Sequence, residues 1–128
     1  LLSLAQPVLL ENGFTIQGGS VDFNLYQEAA KKTAIYPEGF GVLYPVLGLA
    51  NEAGEVAGKL KKIIRDQGAV MTPESKEALA AELGDVLWYL AAVATDIGYS
   101  LGEIAESNLE KLRSRQDRGV LGGSGDKR

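Results

Sequence analysis

Four carboxylates in this 128-residue chain stand in two pairs, Glu52 with Glu55 and Glu82 with Asp85. The stretch Leu49-Ala-Asn-Glu-Ala-Gly-Glu-Val-Ala-Gly-Lys-Leu60 lies over Leu79-Ala-Ala-Glu-Leu-Gly-Asp-Val-Leu-Trp-Tyr-Leu90 at an offset of 30 residues, with six of the twelve positions identical. At about 100° per residue, the i, i+3 spacing puts both acids of a pair on one flank of a helix. Measured from the apolar stripe, Glu52 and Glu82 fall about 100° round and Glu55 and Asp85 about 160°, with Lys59 and Tyr89 between them at about 120°. Two such helices packed antiparallel would bring four carboxylates into one groove. There they would repel strongly unless hard divalent cations sat between them. Oxygen-only ligands select magnesium, with manganese as a substitute, over zinc or copper. A Glu-x-x-Glu pair is usually a solvated helix face, and Glu55 with Lys59 is usually an i,i+4 surface pair. The second copy at matching angles favours a metal site, although a duplicated plain hairpin would also produce it.

The rest of the composition narrows the chemistry. Cysteine and histidine are absent, which removes thiolate sites, disulfides and every serine–histidine mechanism. A net charge of −4 argues against a protein that coats nucleic acid. No apolar run approaches the roughly 20 residues of a membrane span. The first ten residues are apolar-rich but carry no lysine or arginine, so neither a signal peptide nor a membrane partner is expected, and a cytoplasmic setting is.

The elements that must position these acids are helices. Residues 1–19 hold Pro7, Gly13, Gly18 and Gly19 without a sustained period and read as an irregular arm. Ser20 or Asp22 caps a first helix running to about Thr33, and Pro37, Gly39 and Gly41 break the chain. A second helix from Val42 to Asp66 shows a core seam at Val46, Leu49, Ala53, Val56, Leu60 and Ile63. Gly48, Gly54 and Gly58 weaken it by roughly 1 kcal/mol each. Thr72–Pro73 opens a third helix, with a seam at Leu79, Leu83, Val86, Leu90, Ala94 and Ile97, ending at Gly98. Ser100 and Glu103 form a capping box for a fourth, reaching about Arg115. Residues 119–128, with Gly122, Gly123 and Gly125, read as a flexible tail. The expected fold is all-α, a bundle of four to five helices with antiparallel helices carrying the paired acids, over residues 20–118.

Glu52-x-x-Glu55, 26 residues, then Glu82-x-x-Asp85 resembles the signature of the MazG-like all-α nucleoside triphosphate pyrophosphohydrolases. Gly48-Leu-Ala-Asn-Glu-Ala-Gly-Glu-Val56 and Glu82-Leu-Gly-Asp-Val-Leu-Trp-Tyr-Leu-Ala91 are similar to both halves of that family's text. The likeness runs from Tyr26-Gln27, through Asn108-Leu-Glu-Lys-Leu-Arg-Ser-Arg115, to Gly119-Val-Leu-Gly-Gly-Ser-Gly-Asp126. Asn51 stands where many members carry a further glutamate, which leaves the four core acids intact and the number of ions open.

The resemblance implies magnesium-dependent hydrolysis of a (deoxy)nucleoside triphosphate to monophosphate and pyrophosphate. Glu52, Glu55, Glu82 and Asp85 would hold the metal, with one of them, Glu55, polarising the attacking water. Lys59 shares the acidic ridge, and Asn108, Lys111 and Arg115 repeat along the fourth helix, so all four are expected at the phosphates. A solvated basic helix end is the alternative for the last two. Tyr89 would stack on sugar or base, or be an ordinary bundle-edge tyrosine. Trp88, about 140° from the seam, points away from the core of a single chain and toward a homodimer or homotetramer contact. The alternatives are a phosphoribosyl-ATP pyrophosphatase-like enzyme and a catalytically silent helical interaction module. A di-iron bundle would need Glu-x-x-His pairs that this chain lacks.

Overall fold

The computed structural model describes residues 21–126 and, ahead of them, the backbone at 8–9 and 15–16. Helix α1 spans Phe23–Lys31, α2 Leu43–Gln67, α3 Pro73–Ile97 and α4 Leu101–Asp117, with one 3-10 turn at Glu38–Phe40. The starts of α1, α3 and α4 each have a side-chain cap, while α2 begins at Val42 without one. Asp22 Oδ1 accepts from the Leu25 N–H at 2.8 Å, and Thr72 Oγ1 from the Ser75 N–H at 3.1 Å. Ser100 and Glu103 cap each other reciprocally, satisfying two N–H groups that a helix start leaves free. Gly68 and Gly98 close α2 and α3 in the left-handed region, at φ 58° and 81°. The arm, read as irregular, carries a minimal antiparallel ladder: β1 (Val8–Leu9) pairs with β2 (Thr15–Ile16), Val8 opposite Ile16.

Helices α2 and α3 form an antiparallel hairpin, and α1 lies across α3 and α4. Two side chains of α1 make the link: Asn24 Oδ1 accepts from the Gly102 N–H of α4 at 3.0 Å, and Gln27 does the rest. Buried Gln27 donates to Thr95 Oγ1 at 3.1 Å and to the Tyr99 carbonyl at 2.9 Å, and accepts from the Leu101 N–H at 2.7 Å. It thereby satisfies the backbone where α3 turns into α4. Gln27→Ala should lower the unfolding free energy by about 2–3 kcal/mol in urea titrations, because a buried N–H and a carbonyl lose their partner together.

The core is small: Ala30, Ala91, Ala94 and Leu101, with Tyr26, Trp88 and Ile104 packed against it. Two sequence expectations change here. Trp88 does not point away from the chain's own core; α1 covers that flank, and Trp88 Nε1 donates to Thr33 Oγ1 at 2.8 Å. Conversely, the leucine seam is largely uncovered, with Leu60 46%, Leu83 56% and Ile97 52% exposed. The physical reason is that Ala91 and Ala94 let α1 approach α3 closely, so α1 packs on the side of α3 that carries them and leaves Leu83, Leu90 and Ile97 outward. Helix α3 is also long and apolar enough, by length and composition alone, to cross a membrane. Its packing between α1 and α2 and its five acids mark it as the central helix of a bundle.

Candidate metal centre

The hairpin register decides which acids meet. With α2 and α3 antiparallel, Glu52 faces Asp85, and Lys59 faces Glu82. Glu52, Glu82 and Asp85 each place a carboxylate oxygen within 4.8 Å of the other two. Oxygens on opposite sides of an octahedral magnesium are about 4 Å apart, so this spacing fits a cation between them. Glu55 lies outside the trio, exposed one turn along α2.

The electrostatics are those of like charges held together. Burial first, then the charges of Asp85, Glu82 and Glu55, push the Glu52 carboxyl above the ordinary carboxylate range. Lys59 Nζ forms an ion pair with Glu82 Oε1 at 3.3 Å. A carboxyl with a raised folded-state pKa favours the fold while protonated, and that contribution is lost as pH rises through the folded value. In the metal-free protein, Glu52→Gln should therefore melt higher than wild type at pH 7. The gap should close below about pH 4, where the glutamate is protonated even when unfolded. Differential scanning calorimetry in chelator across that range checks the sign.

An aromatic wall stands beside the acids. A cavity of about 430 Å³ is lined by Thr33, Glu52, Asp85, Trp88 and Tyr89. The Tyr89 ring lies against the backbone of Gly48, where any Cβ would overlap it. Burial foremost, then Tyr44 and the charges of Glu52 and Asp85, push the Tyr89 phenol upward, so it stays a protonated donor. Tyr26 is raised too, by burial and by Asp85. Tyr89 meets Trp88 edge to face with centroids 4.9 Å apart, and Tyr36 stacks on Tyr44 at the same separation.

Of the residues expected at the site, Glu52, Glu82, Asp85, Lys59 and Tyr89 come together. The α4 residues do not reach it within one chain. Asn108 and Lys111 are exposed, and Arg115 is only 6% exposed beneath the C-terminal segment. Its Nη2 donates to the Asp126 carbonyl at 3.1 Å and stands 3.7 Å from that residue's carboxylate. Thr33, Tyr44 and the seating role of Gly48 were not read from the sequence. The one available signal was the i, i+4 spacing of Tyr44 and Gly48, a turn above Glu52 on the same helix.

Paired helices presenting facing carboxylates, with a lysine and a tyrosine at equivalent positions, define a helical protein with a carboxylate cluster whose spacing fits a divalent cation. Residues 43–120, from the start of α2 past the end of α4, match the MazG nucleotide pyrophosphohydrolase domain family. The chain belongs to that family. It is also 49% identical over 111 residues to the Gene 37 protein of Mycobacterium phage L5, covering 82% of this chain and 97% of that protein. No solved structure matches it.

Proposed function

We propose that the chain hydrolyses nucleoside triphosphates to the monophosphate and pyrophosphate with magnesium at Glu52, Glu82 and Asp85. The observation carrying this reading is the three carboxylate oxygens within 4.8 Å of one another on facing helices. Magnesium bound there would neutralise the polyphosphate and acidify a water. Glu55, outside the trio yet close enough to raise Glu52, is the carboxylate free to take that water's proton. The water oxygen bonds to the α phosphorus, the bond from that phosphorus to the bridging oxygen breaks, and pyrophosphate leaves. Lys59, tied to Glu82 without metal, turns to a phosphate oxygen once a cation satisfies that glutamate. Tyr89 holds the sugar side of the cavity.

We further propose that the working form is a homodimer or homotetramer. The support is the apolar face left open on α2 and α3 and the exposure of Asn108 and Lys111, which are free to serve a neighbouring copy's substrate.

The reading is tested by pyrophosphate release over a panel of ribo- and deoxyribonucleotides with magnesium, followed by turnover in oxygen-18 water. Label in the monophosphate is expected. Label in pyrophosphate places attack at the β phosphorus, and no release from any nucleotide leaves an interaction module.

A further inference from the structure

The hairpin of α2 and α3 has an order along its length. The aromatic wall of Tyr89 and Trp88 stands on one side of Glu52 and Asp85, and Lys59 with Glu82 follows on the other. Beyond them, toward the closed end of the hairpin, lies a second cavity of about 240 Å³, lined by Lys59, Lys62, Asp66, Glu74 and Ser75 among others. Lys59 belongs to both places: its Nζ stands 3.3 Å from Glu82 Oε1, and its side chain lines the cavity. Lys62 follows one turn along α2, about 4.5 Å further on the axis and on the same side. The volume is below that of an ordinary small-molecule pocket and suits a compact ion.

The sign of that ion follows from what each lining group already holds. Arg65 binds both oxygens of Asp66, at 2.7 and 2.8 Å, and keeps that carboxyl below the ordinary carboxylate range, so its charge is met. Buried Ser75 donates its hydroxyl to the Thr72 carbonyl at 2.9 Å and is committed to the helix cap. The two lysines then face one remaining acid of the lining, exposed Glu74. A divalent cation taken up by Glu82 frees Lys59 and leaves the cavity net positive.

A triphosphate laid along this order has one direction. With its sugar at Tyr89 and its α phosphorus over Glu52 and Asp85, its outer phosphates run toward Lys59. The metal neutralises the phosphates it touches, and the charge of the last one is left for the protein to meet. An ammonium on a flexible stem is a point charge with three donors, suited to a phosphate approached from several directions. We propose that this cavity seats the phosphate farthest from the metal, first of the triphosphate and then of the released pyrophosphate, with Lys62 as its cationic contact. The placement rests on the pyrophosphohydrolase reading, which sets the direction of the chain of phosphates.

Binding is read without turnover. The full chain in excess magnesium is titrated with inorganic pyrophosphate by isothermal calorimetry. Saturable binding is expected, and Lys62→Ala should weaken it by about fivefold or more. Lys62→Arg, which keeps a phosphate-binding cation, should recover most of that loss. Lys61→Ala removes the same charge from a neighbouring position outside the cavity lining and should change the affinity by less than about twofold. In turnover, Lys62→Ala should raise KM for a nucleoside triphosphate by a similar factor, the loss falling on KM more than on kcat. Circular dichroism melts verify the fold of each variant. No saturable binding by wild type, an affinity indifferent to Lys62→Ala, or equal losses in Lys61→Ala and Lys62→Ala overturns the proposal. The two readings fail separately. Pyrophosphate binding that depends on Lys62, without hydrolysis of any nucleotide, sinks the hydrolase alone. Hydrolysis with KM and pyrophosphate affinity indifferent to Lys62 sinks the phosphate subsite alone.

Discussion

Replacing Glu52, Glu82 or Asp85 by alanine is expected to cut magnesium-dependent pyrophosphate release by at least about 10²-fold each, with helical content retained. These side chains are half-buried or exposed and lie outside the hydrophobic core cluster, so their removal costs no core contact. Their mutual repulsion without metal means the truncated proteins should also melt no lower than wild type in chelator. Glu55→Ala is expected to lose a similar share of turnover by a different route. Because Glu55 stands outside the trio, that variant should still gain melting temperature on adding magnesium, whereas the other three should not. Activity within tenfold of wild type in two of the three trio variants would remove the proposed centre. Loss of helical circular dichroism would make the residues structural instead.

The caps, the helix bounds and the meeting of Glu52, Glu82 and Asp85 were legible because each follows from local rules. A short turn forces an antiparallel hairpin, and equal helix angles then put the first acid of one copy opposite the second acid of the other. The repeat even accounts for the two flanking residues. Lys59 and Tyr89 occupy the same position in their copies, and each reaches the other copy's first glutamate, Lys59 by an ion pair with Glu82 and Tyr89 beside Glu52. Glu55 and Asp85 are equivalent too, yet only Asp85 joins the trio. Sequence symmetry cannot show why, since the difference comes from α1, which packs on α3 and gives the two copies unlike surroundings. The same packing hid the roles of Trp88, Thr33 and Tyr36. Their long-range contacts join residues 52 to 60 positions apart, and periodicity says which face of a helix is apolar but not which neighbour covers it.

That last point governs the oligomer. The chain is expected to be at least a dimer, and the face that should close it is the one the fold leaves bare. On α3, Leu83, Leu90 and Ile97 recur every seven residues and are 56%, 38% and 52% exposed. On α2, Leu47 is 62% exposed, with Val46, Leu60 and Ile64 also open. Apolar side chains aligned along two packed helices make a larger patch than a soluble monomer ordinarily shows. Burial of each such leucine on association contributes about 1.5–3 kcal/mol if it becomes fully covered. The probe must spare the chain's own core. Trp88→Glu, the change the sequence first suggests, would break the contact with α1 and confuse dissociation with unfolding. Leu47→Glu and Leu83→Glu touch no core residue, and each would bury an unpaired charge in the interface. Either should weaken association by about 10²-fold or more while the monomer keeps its helices. Sedimentation equilibrium on the full chain, on both variants and on a form lacking residues 1–19 reads this out. The apolar side chains of that segment lie outside the described residues, and a dimer seen only in the trimmed form would mean that they cap the face instead. A monomer at micromolar concentration in both the full and trimmed wild-type forms would overturn the expectation.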